Sequence, residues 1–174
     1  MKTVFTLYIL FNISSIHCLE NDWISFYKPG IIDNQRNIDN ILKTSDHLII
    51  SGIFYQTLSE NPFLQDIHFI SEWKNSQFTA LGQGVNSQVH AMCKGPDGNI
   101  YIAGEFSKAG GLPARMLAQW NGKTWKAMDG FSYGRINSIV ADSTHLYIAG
   151  IFNDINGKEY NSIAQYIKGK WQPL

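Results

Sequence analysis

Short apolar runs separated by turn-forming residues fill the chain from residue 38 onward. In the middle of the chain the runs are Val89–Cys93, Ile100–Phe106, Met116–Trp120 and Thr124–Met128. Gly-Pro-Asp-Gly-Asn and Asn-Gly lie between them, and Asn-Gly between apolar runs is a strong β-hairpin signal. No run keeps the period of about 3.6 residues that marks an amphipathic helix. The pattern therefore predicts an all-β chain built from short antiparallel strands.

The same group of four predicted strands occurs three times. Tyr101–Phe106 has the sequence Tyr-Ile-Ala-Gly-Glu-Phe, Tyr147–Phe152 has Tyr-Ile-Ala-Gly-Ile-Phe, and Ile49–Phe54 is a weaker copy. Two aromatic positions follow each copy, five residues apart: Trp73 and Phe78, Trp120 and Trp125, Tyr166 and Trp171. The first copy is longer between its glycine and its first aromatic, which predicts an enlarged loop over Tyr55–Ile70. Agreement at several positions in three copies indicates a repeat protein.

The glycine in each motif carries structural information. Glycine weakens a strand, so it is expected in the middle of a strand where another backbone approaches closely or where a bulge occurs. We expect a bulge or a close backbone approach at Gly52, Gly104 and Gly150, which occupy one position of the repeat.

Four short strands recurring about every 46 residues have the spacing of β-propeller blades. The sequence predicts three four-stranded antiparallel blades at about 38–82, 89–128 and 136–174, with an extra strand at Trp23–Phe26 inside an N-terminal segment, 19–37. Closed propellers typically have about four to eight blades. The prediction is therefore an incomplete or open propeller, and three interpretations stay open: a fragment, a self-assembling chain, or an open stack with exposed blade faces.

The N-terminus has a composition of its own. Residues 1–18 contain Lys2, the apolar run Val4–Phe11 and a more polar end at Cys18, as in a secretory signal peptide. A buried N-terminal strand is the alternative interpretation, and a lipoprotein anchor is disfavoured because bulky His17 precedes Cys18. No later run is long enough to span a bilayer as a helix. We expect the chain to be secreted or held at the cell surface.

Charge and cysteine content exclude several classes of function. Removal of 1–18 takes away one lysine and leaves 13 basic and 14 acidic side chains, so no charge excess attracts nucleic acid. The processed chain would keep only Cys93, which rules out an intrachain disulfide framework and is interpreted as a small buried residue. Its aromatic content of 13% suits a globular β domain.

The repeat resembles known propeller families. The repeat is similar to kelch-type blades of the kelch and galactose-oxidase class in three features. These are an apolar first strand, the sequence Leu146-Tyr147-Ile148 before a glycine on the second strand, and a tryptophan on the fourth strand. The middle copy more closely resembles the propeller repeats of the fungal cortical cell-polarity marker family. The resemblance lies in Tyr101–Phe106, Ala109-Gly110-Gly111 and Leu117–Gly122. This resemblance implies a β-propeller at the cell surface with a role in cell polarity. The chain departs from kelch by having one glycine in place of two, and from the polarity family by its short length and lack of an anchor.

Candidate chemistry is sparse in this sequence. His90 aligns with Asp39 and Asn137 on the first strand, and Glu105 replaces an isoleucine of the other copies. No phosphate loop, nucleophile motif or metal-ligand spacing is present, so we predict no catalytic residue, no metal site and no cofactor. A copper-radical site of the galactose-oxidase kind is disfavoured because scattered histidines and Cys93 do not form its ligand set. The predicted binding residues, chosen on loops and at repeat-breaking positions, are Glu105, Lys108, Arg115, His68, His90, Asp154 and Tyr160.

The sequence thus favours a non-catalytic, exported β-propeller module for protein binding or scaffolding. Its loops Ser107–Pro113, Asn153–Tyr160 and Tyr55–Ile70 differ between copies and would contact a protein or glycan ligand. Exposed blade faces would also allow self-association. The alternatives are a fragment of a secreted kelch-type oxidase or lyase whose active site is not in this chain, and a truncated product without a function of its own.

Overall fold

The fold is described by a computed structural model over residues 37–56, 67–75, 77–128 and 130–174. All of them belong to one compact unit, Gln35–Leu174. Every regular element in these ranges is a β-strand, which confirms the all-β prediction. The predicted signal peptide and the extra strand at Trp23–Phe26 lie outside the described residues. Within the described ranges, no helix has the length and apolar character needed to cross a membrane.

Three four-stranded antiparallel sheets make up most of the described chain. The first sheet holds β1 (Asn37–Lys43), β2 (Leu48–Gln56), β3 (Ile67–Lys74) and β4 (Gln77–Ala80). The second holds β5 (Val89–Lys94), β6 (Ile100–Gly104), β9 (Leu117–Trp120) and β10 (Trp125–Ala127). The third holds β11 (Arg135–Ala141), β12 (Leu146–Ile151), β15 (Ile163–Ile167) and β16 (Lys170–Pro173). Strands that are consecutive within a sheet pair as neighbours, so each sheet is a meander.

Two of the predicted loops contain short strands. In the second repeat, β7 (Lys108–Ala109) pairs with β8 (Leu112–Pro113), and in the third, β13 (Asp154–Ile155) pairs with β14 (Lys158–Glu159). Each pair is a separate two-stranded ribbon. The enlarged loop predicted at Tyr55–Ile70 is too long, because β2 runs to Gln56 and β3 begins at Ile67. Strand pairing between Tyr55 and His68 extends the hairpin into the predicted loop.

The three sheets share one register between their first and second strands. The repeat glycines stand opposite equivalent apolar residues, Gly104 opposite Val89 and Gly150 opposite Ile136. A Cβ atom at Gly104 would lie 2.1 Å from the carbonyl oxygen of Gln88, and the same approach occurs at Gly150. The predicted close approach of another backbone is therefore confirmed at these two positions. A register shift follows each pairing, so each first strand has a β-bulge at the same place.

The second sheet lies between the other two and buries both of its faces. In β6, Ile100 and Ile102 pack in a cluster with the first sheet, whereas Tyr101 and Ala103 pack in a cluster with the third. This alternation follows from the two-residue period of a strand. A strand buried on both faces is apolar throughout, which explains why Tyr-Ile-Ala-Gly is uninterrupted by polar residues.

Each sheet carries an aromatic pair on its last two strands. Trp73 and Phe78 lie 4.6 Å apart between ring centroids, and Trp120 and Trp125 lie 5.1 Å apart. Trp125 is buried between the first and second sheets, where its Nε1–H donates to the carbonyl oxygen of Leu81 at 2.6 Å. The ring fills the space between the sheets, and its polar atom is satisfied there.

Candidate functional site

The three β-bulges place polar side chains at equivalent positions on adjacent strands. The bulged residues are Asp39 on β1, His90 on β5 and Asn137 on β11. Strand β5 lies between β1 and β11 and contacts both. A bulge leaves its extra residue outside the regular pairing and often re-aims its side chain. Asp39 and Asn137 are exposed and His90 is half-buried, so the three form a polar line across the three sheets.

The line is connected across the gap between the first and second sheets. Gln88, just before β5, donates from Nε2 to Oδ2 of Asp39 at 2.9 Å. One residue after the bulge, Nδ2 of Asn40 lies within hydrogen-bond distance of Ser51 Oγ, at 3.0 Å, and of Val89 O, at 3.1 Å. Polar side chains therefore tie β1 to β5 where both strands begin.

The other two bulged residues also have polar partners. His90 Nε2 lies 3.1 Å from Oε1 of Glu105, and the ring nitrogen donates because a carboxylate accepts. Arg135 donates from Nε to Oδ1 of Asn137 at 2.7 Å. Gln88 and Arg135 occupy one repeat position, immediately before the apolar residue that faces the glycine. We call the six residues of this polar line the bulge row: Asp39, Gln88, His90, Glu105, Arg135 and Asn137.

The bulge row offers both donors and acceptors and has nearly balanced charge. Asp39 and Glu105 contribute carboxylates, Arg135 contributes a guanidinium, and the remaining members are amides and an imidazole. Because most of these groups are exposed, their mutual hydrogen bonds and ion pairs contribute little to stability. They can therefore be exchanged for hydrogen bonds to a polar ligand at low cost.

The opposite ends of the same strands carry aspartates with a different role. In the β11–β12 turn, Asp142 accepts hydrogen bonds from the backbone N–H groups of Thr144 and His145 and from the Tyr147 hydroxyl. These bonds hold the pKa of Asp142 well below its usual range and raise the pKa of Tyr147. His145 lies in this turn. Asp142 acts as a turn-stabilising residue.

The equivalent turn of the second sheet is built in the same way. Asp97 accepts from the hydroxyl of Tyr101 at 2.8 Å, from Nε2 of Gln119 at 3.0 Å and from Nδ2 of Asn99 at 2.6 Å. Burial, together with the hydrogen bond to Asp97, raises the pKa of Tyr101. Cys93 packs beside this turn, and burial raises the pKa of its thiol to about 12. A thiol held protonated at neutral pH is a poor nucleophile.

Arg115 and Asp154 are joined to one intervening segment. The guanidinium of Arg115 donates to the carbonyl oxygen of Ser132, and Oγ of Ser132 donates to Asp154 at 2.9 Å. Lys108 is exposed on β7, and its backbone N–H donates to Oδ1 of Asn86 at 2.8 Å. These three predicted binding residues lie in or beside the two-stranded ribbons β7–β8 and β13–β14. Their hydrogen bonds connect the ribbons to the segments between the four-stranded sheets.

The other four predicted binding residues have three different outcomes. His90 and Glu105 are brought together in the bulge row. Tyr160, predicted on a loop surface, is buried in the core between the second and third sheets, because the β13–β14 ribbon folds the chain back. The side chain of His68 lies outside the described residues.

Two members of the bulge row were missed by sequence reasoning. Gln88 and Arg135 lie just before the first-strand apolar residue, where the repeat carries a polar residue in each copy. That regularity is visible in the sequence, but it becomes meaningful only when the strands are placed side by side. Asp39 and Asn137 align with His90 in the repeat but were not among the predicted binding residues.

No cluster of three or more His, Cys, Asp or Glu side chains arranged to hold a metal ion occurs among the residues that the structure describes. The chain matches no protein-family model, no curated protein and no solved structure.

Proposed function

We propose that this chain is a non-catalytic, exported β-propeller-type interaction module that binds a glycan through the bulge row. The observation that carries the proposal is the equivalence of Asp39, His90 and Asn137. Each occupies the bulge of a first strand, and the three strands are neighbours. A repeated bulge that presents a different polar side chain in each copy gives a varied binding surface on a constant scaffold.

A propeller-type arrangement is supported by how the sheets meet. Contacts between neighbouring sheets include β1 with β5, β5 with β11 and β6 with β11. In a propeller the blades are arranged around a central channel. We therefore place the first strands of this chain beside the axis, with the bulge row at one mouth of an incomplete or open channel.

A glycan is the ligand class that suits the row best. Adjacent amide, carboxylate and guanidinium groups can each exchange hydrogen bonds with neighbouring sugar hydroxyls. The balanced charge of the row favours neither a strongly acidic nor a strongly basic partner. Tyr133 is largely exposed two residues before Arg135 and offers an aromatic face on which a sugar ring can stack.

Export is supported by the signal-like segment 1–18, and the resemblance to polarity-marker repeats agrees with a place at the cell surface. Intact mass measurement of the protein recovered from the medium of a secreting host tests this step. A secreted product beginning near Leu19 is expected. A product that stays inside the cell with Met1 or the apolar segment retained would contradict export.

The binding proposal is tested on a glycan microarray with the full chain and a triple variant, Asp39→Ala, His90→Ala and Asn137→Ala. Each lost hydrogen bond is worth about 1 kcal/mol, so binding should fall about 100-fold. The matched control replaces Lys43 and Lys94, exposed at the far ends of β1 and β5, by alanine and should bind like the parent. Equal binding by the triple variant would refute the row as the site. Turnover of a sugar or alcohol would favour the kelch-type enzyme instead.

A further inference from the structure

The face of the third sheet that points away from the second sheet carries exposed apolar residues. The equivalent residues of the second sheet pack in a core cluster. Leu117 of the second sheet faces the third sheet and is 0% exposed, but its equivalent Ile163 is 40% exposed. Cys93 packs in the same cluster, but its equivalent Val140 is 55% exposed. This exposed face of the third sheet is therefore equivalent to the face of the second sheet that packs against the third.

The opposite face of the first sheet shows the complementary feature. Ile139 on β11 packs against the second sheet and is 4% exposed, whereas its equivalent Ile41 on β1 is 43% exposed. Ile50, paired with Ile41, is buried, so the open part of this face runs along β1. In the second and third sheets, the equivalent face packs against the preceding sheet.

The geometry points to a second copy of this chain as the occupant, with the Ile41 face of one copy packed on the Val140–Ile163 face of the other. The two exposed faces are the two halves of an interface that already occurs twice within the chain, between the first and second and between the second and third sheets. Such a head-to-tail contact joins two different surfaces and closes only when the rotation allows it. Two chains of three sheets give six, within the range of about four to eight that closes a propeller. The closed form, though not the contact itself, rests on the radial arrangement proposed above.

The test is the molar mass of the full chain in solution, by light scattering coupled to size exclusion over a range of concentrations. A two-chain particle is expected for the parent. Val140→Asp and Ile41→Asp should each be monomeric. In a two-chain ring the contact occurs twice, and either substitution buries a charge in both of them. Ile163→Asp serves as a second variant of the same face. Leu112→Asp, at an exposed apolar residue on β8, is the matched control and should remain a dimer.

Mixing the variants tests the head-to-tail geometry directly. A Val140→Asp chain keeps an intact Ile41 face, and an Ile41→Asp chain keeps an intact Val140 face. An equimolar mixture should therefore recover a 1:1 particle held by one intact contact and open where the two substituted positions meet. Circular dichroism and thermal unfolding establish that each variant is folded. A parent that stays monomeric overturns the proposal and leaves another protein segment as the occupant. Dimers that survive Ile41→Asp but not Val140→Asp overturn it in favour of a contact between two third sheets, and a monomeric Leu112→Asp places the contact elsewhere.

Discussion

Replacing Gly104 by alanine should destabilise the protein although alanine is usually the better residue. The φ of Gly104 lies outside the left-handed region, so alanine is conformationally permitted. At such a position the substitution ordinarily stabilises by about 0.4–1 kcal/mol through the unfolded state. In the folded state, however, the new Cβ would lie 2.1 Å from Gln88 O and 2.9 Å from Val89 Cα. Both are backbone atoms, so the first two strands of the sheet must separate.

The size of the effect follows from the bonds at this point. Overpacking costs about 1–3 kcal/mol. Separation also weakens the hydrogen bond from Glu105 N–H to Gln88 O, which is 2.9 Å long and worth about 1 kcal/mol. After the gain through the unfolded state is subtracted, we expect the free energy of unfolding to fall by about 1–3 kcal/mol.

The assay is urea denaturation followed by tryptophan fluorescence. Gly122→Ala is the control, since its Cβ would meet nothing within 4 Å and only its φ of +89° is unfavourable, at a cost of about 1 kcal/mol. Gly150→Ala should behave like Gly104→Ala, because its Cβ would lie 2.1 Å from Arg135 O. A Gly104→Ala protein as stable as the parent would refute the close approach of the two backbones.

Three further outcomes follow from individual contacts. Trp125→Phe removes the indole donor, but the Leu81 carbonyl keeps the hydrogen bond from Gly84 N–H at 3.0 Å, so the change should cost the net value of one hydrogen bond, about 0.5–1.5 kcal/mol, in urea unfolding; unchanged stability would show that the bond is unimportant. Cys93, its thiol pKa raised to about 12, should react with iodoacetamide at pH 8 at least about 100-fold more slowly when folded than in urea, as mapped by mass spectrometry. Equal rates would contradict its burial. Hydrogen bonds from Lys74 and His47 lower the pKa of Asp46 to about 2, so its contribution to stability is present above its ordinary pKa of 3.8 and is lost as pH falls through 2. An NMR titration should place its midpoint near 2 and Lys74→Ala should raise it; a midpoint near 3.8 in the parent would rule out the pairing.

Strand positions could be predicted because local chemistry determines them. Asn121-Gly122 lies in the tight turn between β9 and β10, and the apolar run Ile100–Phe106 contains β6, a strand buried on both sides. The close approach at Gly104 was also predictable, since a glycine repeated at one strand position marks a bulge or a close backbone contact.

Features that depend on pairing could not be predicted. The bulge at His90 is defined by the register of β5 against β6, and no residue type marks it locally. The β13–β14 ribbon turns on Asn156 and Gly157 as a loop would, but its pairing carries Tyr160 into the core. An aromatic residue in a polar segment has no local signal that separates a binding surface from a buried anchor.

The candidate site was predicted only in part for the same reason. Glu105 was selected because it breaks the repeat, and His90 because it occupies a polar position on the first strand; the structure brings them to 3.1 Å. Gln88 and Arg135 lie outside the apolar pattern, and their role depends on the neighbouring first strands. A site formed across three sheets is visible only after the sheets are assembled.

The most direct test of the proposed function is the glycan-array comparison between the parent chain and the triple variant Asp39→Ala, His90→Ala and Asn137→Ala. The bulge-row account predicts that the parent binds a defined set of glycans, that the triple variant loses about 100-fold in affinity for them, and that the variant of Lys43 and Lys94 does not. A parent chain that binds no glycan, or a triple variant that binds as tightly as the parent, would contradict it.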